Sequence, residues 1–128
     1  MKRYLTELIG TFFLVLTVGL TVVGGSDFAA LAIGSVLMVM VYMGGHISGA
    51  HYNPAVTLAV ILRGKMKWDD VGPYMLSQVF GALLAGGAVF VILGDTFAPT
   101  PGPEASLSAV LLVEFLFTFA LALVVLNT

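Results

Sequence analysis

The residues of this 128-residue chain able to do chemistry gather in one stretch, Gly45-His46-Ile47-Ser48-Gly49-Ala50-His51-Tyr52-Asn53-Pro54-Ala55-Val56-Thr57. Three further polar side chains stand out in apolar surroundings: Glu7, Gln78 and Glu114. The chain has no cysteine, which removes disulfides, thiolate metal ligands and thiol nucleophiles. His46 and His51 lack a nearby carboxylate or cysteine and make a poor metal site, so neither metal nor cofactor is expected. What the stretch does offer is a pattern of donors and acceptors. An extended segment over 49–52 turns the carbonyls of Gly49, Ala50, His51 and Tyr52 toward a lumen as a ladder of acceptors. Asn53 adds a side-chain amide, and a helix opening at Pro54 adds the positive end of its dipole. Such an arrangement suits a file of water or other small neutral solutes, while the dipole repels cations and protonated water.

A lumen needs walls, and the composition says where they stand. Apolar residues make up 59% of the chain and charged residues 9%, too little polar surface for a water-soluble domain. With only five basic residues and a net charge of −2, no basic patch exists for nucleic acid. Four apolar stretches, about 4–24, 28–46, 70–93 and 106–127, are long enough to span a bilayer. The first follows Lys2-Arg3 and resembles a signal peptide, but it carries Glu7 and no convincing cleavage site, so it reads as a retained helix. The segment from Gly94 to Ala105 holds Pro99, Pro101 and Pro103 and reads as an exposed loop.

Residues 54–62 are apolar yet too short to cross. Asn53 is a good N-cap, Pro54 suits the first helical position and Gly64 suits the stop. A half-length helix beside the glycines of 44–49 predicts a re-entrant segment over 46–64, tolerated at membrane depth only when buried in protein or lining a wet cavity. The basic residues agree. Lys2, Arg3, Arg63, Lys65 and Lys67 all fall on one side only if 54–62 enters and leaves by the same face. The positive-inside rule makes that face cytoplasmic, with the N-terminus.

Glu7 to Leu14 and Glu114 to Leu121 both read E-x-x-x-T-F-x-L. The spans that carry them run in opposite directions, which suggests an inverted repeat: a first copy over 1–93, and at 106–128 the first helix of a second. A carboxylate inside a span calls for a buried polar partner. Glu7 and Glu114 are expected to accept hydrogen bonds from loop N–H groups; a proton relay is the other reading. Gln78 is expected to brace in the same way. The small residues Gly34, Gly81, Ala82, Ala85, Gly86 and Gly87 are expected to let helices approach closely.

The string Ser48-Gly49-Ala50-His51-Tyr52-Asn53-Pro54-Ala55-Val56-Thr57, the doubled E-x-x-x-T motif and Ser77-Gln78-Val79-Phe80-Gly81-Ala82 resemble the major intrinsic protein family, the aquaporins and aquaglyceroporins. The resemblance covers the whole chain, as the first half of such a channel plus the next helix. It implies an all-α membrane protein, an aquaporin-like right-handed bundle of four transmembrane helices and one re-entrant half-helix. It also implies passive conduction of water, and of small neutral solutes such as glycerol, by a homotetramer in a plasma membrane. Asn53, Pro54 and Ala55 match the pore motif, and His51 gives its carbonyl to the pore while its ring braces the loop. Counting twenty residues back from Asn53 gives Ile33, where water-selective members place an aromatic residue at the outer constriction. The second such motif, the arginine after it and the last two spans are not in these 128 residues, so a partial chain is expected. Two further readings remain open at this point: a non-conducting membrane module, and a proton-coupled transporter using Glu7 and Glu114.

Overall fold

Run length and breakers set the helices. The computed structural model describes residues 1–127; Thr128, the last residue of the expected second-repeat segment, lies outside them. Five helices follow one another: α1 (Lys2–Val23), α2 (Ala29–Ser48), α3 (Pro54–Leu62), α4 (Trp68–Leu93) and α5 (Leu107–Asn127). All but α3 are long and apolar enough to cross a membrane. The nine residues of α3 reach only about 14 Å at 1.5 Å per residue, half a hydrocarbon core.

The ends have local causes. Asn53 caps α3, its Oδ1 accepting from the Ala55 N–H at 2.8 Å, with Pro54 in the first turn. α2 and α4 stop where Gly49 and Gly94 take φ of 88° and 70°, a left-handed turn that a Cβ would strain. The α3 boundaries are those expected, and the 94–105 connection is non-helical. One boundary differs. Helix α2 runs on to Ser48, so the irregular part of the re-entrant segment begins at Gly49 rather than at 46. Apolar Ile47 continues the helix, and the left-handed Gly49 is what ends it.

Helix α1 packs against α4 and α2, while α3 rests on α4 and α5. Helices α1 and α4 approach closely at Gly81, where a Cβ would stand 2.5 Å from the Leu8 carbonyl oxygen. Ala85 is buried nearby. The other expected contacts are not made: Gly34, Gly86 and Gly87 face open space. The helices present apolar side chains outward, and much of the interior is polar, with Glu7, Ser48, His51, Thr57 and Gln78 all buried. This is the inverse of a soluble core and fits a hydrocarbon surround. The chain is a multi-pass membrane protein.

The dip of the chain is visible in what its parts touch. Ser48 and Lys65, on either side of α3, line one pocket with Arg3 at the basic end. Asn53, between them, lies instead beside Thr11, Leu14 and Val18, half-way along α1. The chain enters from the basic end, turns at mid-depth and returns.

Candidate pore-lining site

Everything at the turn hangs on Glu7. Its side chain has 0% exposure and meets four donors: Ser48 Oγ at 2.6 Å and the His51 N–H at 3.0 Å on Oε1, then the Tyr52 N–H at 2.7 Å and Gln78 Nε2 at 2.9 Å on Oε2. Ser48 Oγ also accepts from the Ala50 N–H at 3.1 Å. The carboxylate therefore acts only as an acceptor, and it satisfies backbone N–H groups that an irregular loop would otherwise bury unpaired. Gln78 joins the same network through Glu7 and Thr57 rather than through a loop N–H.

The loop is not extended. Ala50 and Tyr52 take φ of 51° and 49°, the left-handed region costly for residues with a Cβ. These turns swing consecutive N–H groups to one side, onto the carboxylate, as a backbone nest does for an anion. No hydrogen bond within the described residues ends on the carbonyl oxygens of Gly49, Ala50, His51 or Tyr52. Donors inward and acceptors free is the separation that the extended reading sought by another geometry.

Further side chains hold this strained backbone, among them Tyr74, which the sequence did not single out. Tyr74 OH donates to the Ser48 carbonyl at 2.8 Å, and its ring stands 5.1 Å from that of His51. His51 Nδ1 lies 3.1 Å from Thr57 Oγ1, which also accepts from Gln78 Nε2 at 2.9 Å. Tyr52 wedges between α1 and α2: a Cβ on Gly10 or Gly44 would collide with its phenol, and its OH donates to the Met40 carbonyl at 2.8 Å. The available signal was spacing alone, a serine two residues before Ala50 and a glycine facing each side of the tyrosine.

Asn53 is half-buried, while Pro54 and Ala55 are exposed. Its Oδ1 is taken by the cap, which leaves Nδ2 as a donor at the head of α3. The cavity it borders, about 450 Å³, is also lined by Ile33, Leu37, Leu14 and Val18. Ile33 thus shares a cavity with Asn53 despite twenty residues of separation. On the other side, Gly49, Ala50 and His51 line a pocket of about 380 Å³ with Leu37 of α2 and Leu121 and Val124 of α5.

Glu114 is placed differently. It is exposed on α5, a helix with no buried residue, and lines an open groove with Ala55 and Ala59 of α3. It makes no hydrogen bond or ion pair among the described residues. The 49–53 loop is served by Glu7, and no N–H group among the described residues reaches Glu114.

The family model for Major intrinsic protein matches residues 1–128. The chain belongs to the major intrinsic protein family. Its relatives include Aquaporin NIP1-1 of Zea mays, 38% identical over 134 residues that cover 97% of this chain and 48% of that protein. Aquaporin NIP1-1 of Oryza sativa subsp. japonica matches equally at 38%, covering 47% of its length. Glycerol uptake facilitator protein-like 6 of Lactiplantibacillus plantarum is 36% identical, covering 99% of this chain and 63% of that protein. The chain spans about half the length of the aquaporins it matches. The major intrinsic protein family is one of channels rather than of enzymes.

Proposed function

We propose that this segment forms half the wall of a passive channel for water and small neutral solutes, glycerol among them, and that no chemical turnover takes place in it. The observation that carries this reading is the 49–53 loop: carbonyls at 49–52 that accept no hydrogen bond among the described residues, and the Asn53 amide with the α3 N-terminus at mid-depth. A molecule in that lumen meets acceptors, then a donor and a positive dipole end, so it conserves hydrogen bonds while cations are repelled. The relatives named as aquaporins and as a glycerol uptake facilitator support both solutes. Asn53, Pro54 and Ala55 are the central motif, Gly49, Ala50, His51 and Tyr52 the acceptor ladder, and Ile33 the constriction residue. The domain reading goes with it: 1–93 is one repeat unit, and α5 opens an inverted second, in which Glu114 has the place Glu7 has in the first.

The protein works as a homotetramer in the plasma membrane, with its N-terminus and the basic residues cytoplasmic. A proton-coupled mechanism finds less support, because both oxygens of Glu7 are committed to four donors. Stopped-flow light scattering on proteoliposomes tests the channel. Water efflux above that of empty vesicles, reduced by Asn53→Asp, is expected. Efflux equal to empty vesicles refutes conduction by this chain, and uptake that needs a pH gradient and is lost in Glu114→Gln refutes the passive mechanism.

A further inference from the structure

Five basic residues stand at the same end of this molecule, yet only three of them, Arg3, Lys65 and Lys67, border a pocket of about 490 Å³ there. The single carboxylate in that pocket is already used. Arg3 grips Asp70 with two nitrogens, 3.1 and 3.0 Å from its oxygens, and Tyr4 OH donates to it at 2.7 Å. Lys65 and Lys67 are in the opposite condition: neither ammonium makes a hydrogen bond or ion pair among the described residues. Two ammoniums that make no hydrogen bond among the described residues therefore border a polar pocket whose one carboxylate is held by Arg3, with Lys67 contributing only at longer range to the field at Asp70.

The pocket's depth and flanks say what fits. Lys67 precedes Trp68, which is 69% exposed at the start of α4, and an exposed tryptophan at a span terminus marks headgroup level. Leu5, Leu62 and Leu76 are exposed on α1, α3 and α4, the helices that also carry the lining residues Arg3, Val60 and Tyr74. A phosphate at the mouth with acyl chains along those leucines satisfies both. Inorganic phosphate supplies the charge and leaves the apolar flank unused.

We propose that this pocket holds the phosphate headgroup of an anionic glycerophospholipid on Lys65 and Lys67. Its floor includes Ser48, His51 and Tyr74, so the bound headgroup abuts the residues that hold the pore loop. The proposal is independent of conduction and is read without flux.

The test is native mass spectrometry of the protein released from nanodiscs of equal phosphatidylcholine and phosphatidylglycerol. Wild type retains phosphatidylglycerol preferentially, and Lys65→Gln/Lys67→Gln lowers that preference about thirtyfold, the scale set by two ammoniums near an anionic surface. Lys65→Arg/Lys67→Arg keeps it, which also reports that the turn folds. Lys2→Gln/Arg63→Gln removes the same charge from the same end but outside the pocket and keeps the preference. Equal retention of the two lipids by wild type overturns the site. So does equal loss in the two glutamine pairs, which indicates diffuse surface charge. Displacement of the lipid by millimolar inorganic phosphate makes the occupant a soluble phosphate and overturns the lipid assignment.

Discussion

Replacing Glu7 by glutamine keeps volume and shape while turning one acceptor oxygen into an NH2 group. Two donors bond to each oxygen, Ser48 Oγ and the His51 N–H to one, the Tyr52 N–H and Gln78 Nε2 to the other. Whichever way the amide turns, two of the four bonds face a donor. Bonds to a charged group contribute about 1.5–3 kcal/mol each, so the loss is about 3–6 kcal/mol. The less costly orientation sets the NH2 toward Ser48, whose hydroxyl can rotate toward the Gly44 carbonyl, 3.5 Å away. That leaves mainly the His51 N–H stranded and puts the expectation at the lower end. At about 1.4 kcal/mol per tenfold, local opening of the loop rises by roughly two to four powers of ten. Hydrogen–deuterium exchange on nanodisc-embedded protein reads this directly in peptides covering 48–53. Exchange at the His51 and Tyr52 amides within about threefold of wild type refutes the claim that Glu7 holds the loop. Glu114→Gln is the control, because Glu114 makes no bond among the described residues; its exchange pattern over 48–53 stays that of wild type.

Gly10→Ala and Gly44→Ala each drive a methyl into the Tyr52 phenol and should destabilise by about 1–3 kcal/mol, seen as a lowered thermal midpoint in detergent. Tyr52→Phe keeps the wedge and loses only the bond to the Met40 carbonyl, so about 1 kcal/mol is expected by the same measurement. Asn53→Asp keeps the cap acceptor and adds negative charge at the α3 N-terminus, so thermal stability holds or rises slightly while water efflux falls. Loss of stability and flux together argues against a separate conducting role for the amide. Asp70→Asn weakens a pair whose arginine is 49% exposed, so an effect of about 1 kcal/mol or less is expected in the thermal midpoint.

The crossings were legible because length and apolarity leave few alternatives in a membrane, and α3 was legible because Asn53 and Pro54 mark its start in a local code. The re-entrant path could be inferred from five basic residues, since a full crossing at 54–62 would have divided them between two faces. The loop's conformation was not legible. Nothing local in Ala50 or Tyr52 announces a left-handed backbone, which is imposed by a carboxylate more than forty residues away. The glycines divide the same way: composition put Gly34, Gly81, Gly86 and Gly87 in one class, but only Gly81 meets a neighbouring helix. Which face of a uniformly apolar helix turns inward is decided by tertiary contact, not by periodicity. For Glu114 the motif is identical to that at Glu7, yet a motif does not supply donors.

The hub at Glu7 also has a calendar. The carboxylate lies on α1, which leaves the ribosome before the segments that carry its donors at Ser48, His51, Tyr52 and Gln78. During synthesis α1 must therefore be inserted while its acid is still without these partners, a state that lipid penalises. The debt is cleared only when α4 arrives with Gln78. A nascent chain stalled before that residue should hold α1 loosely, exchanging with the translocon's aqueous interior. One stalled after it should be locked, so the order of translation makes α4 the latch on α1.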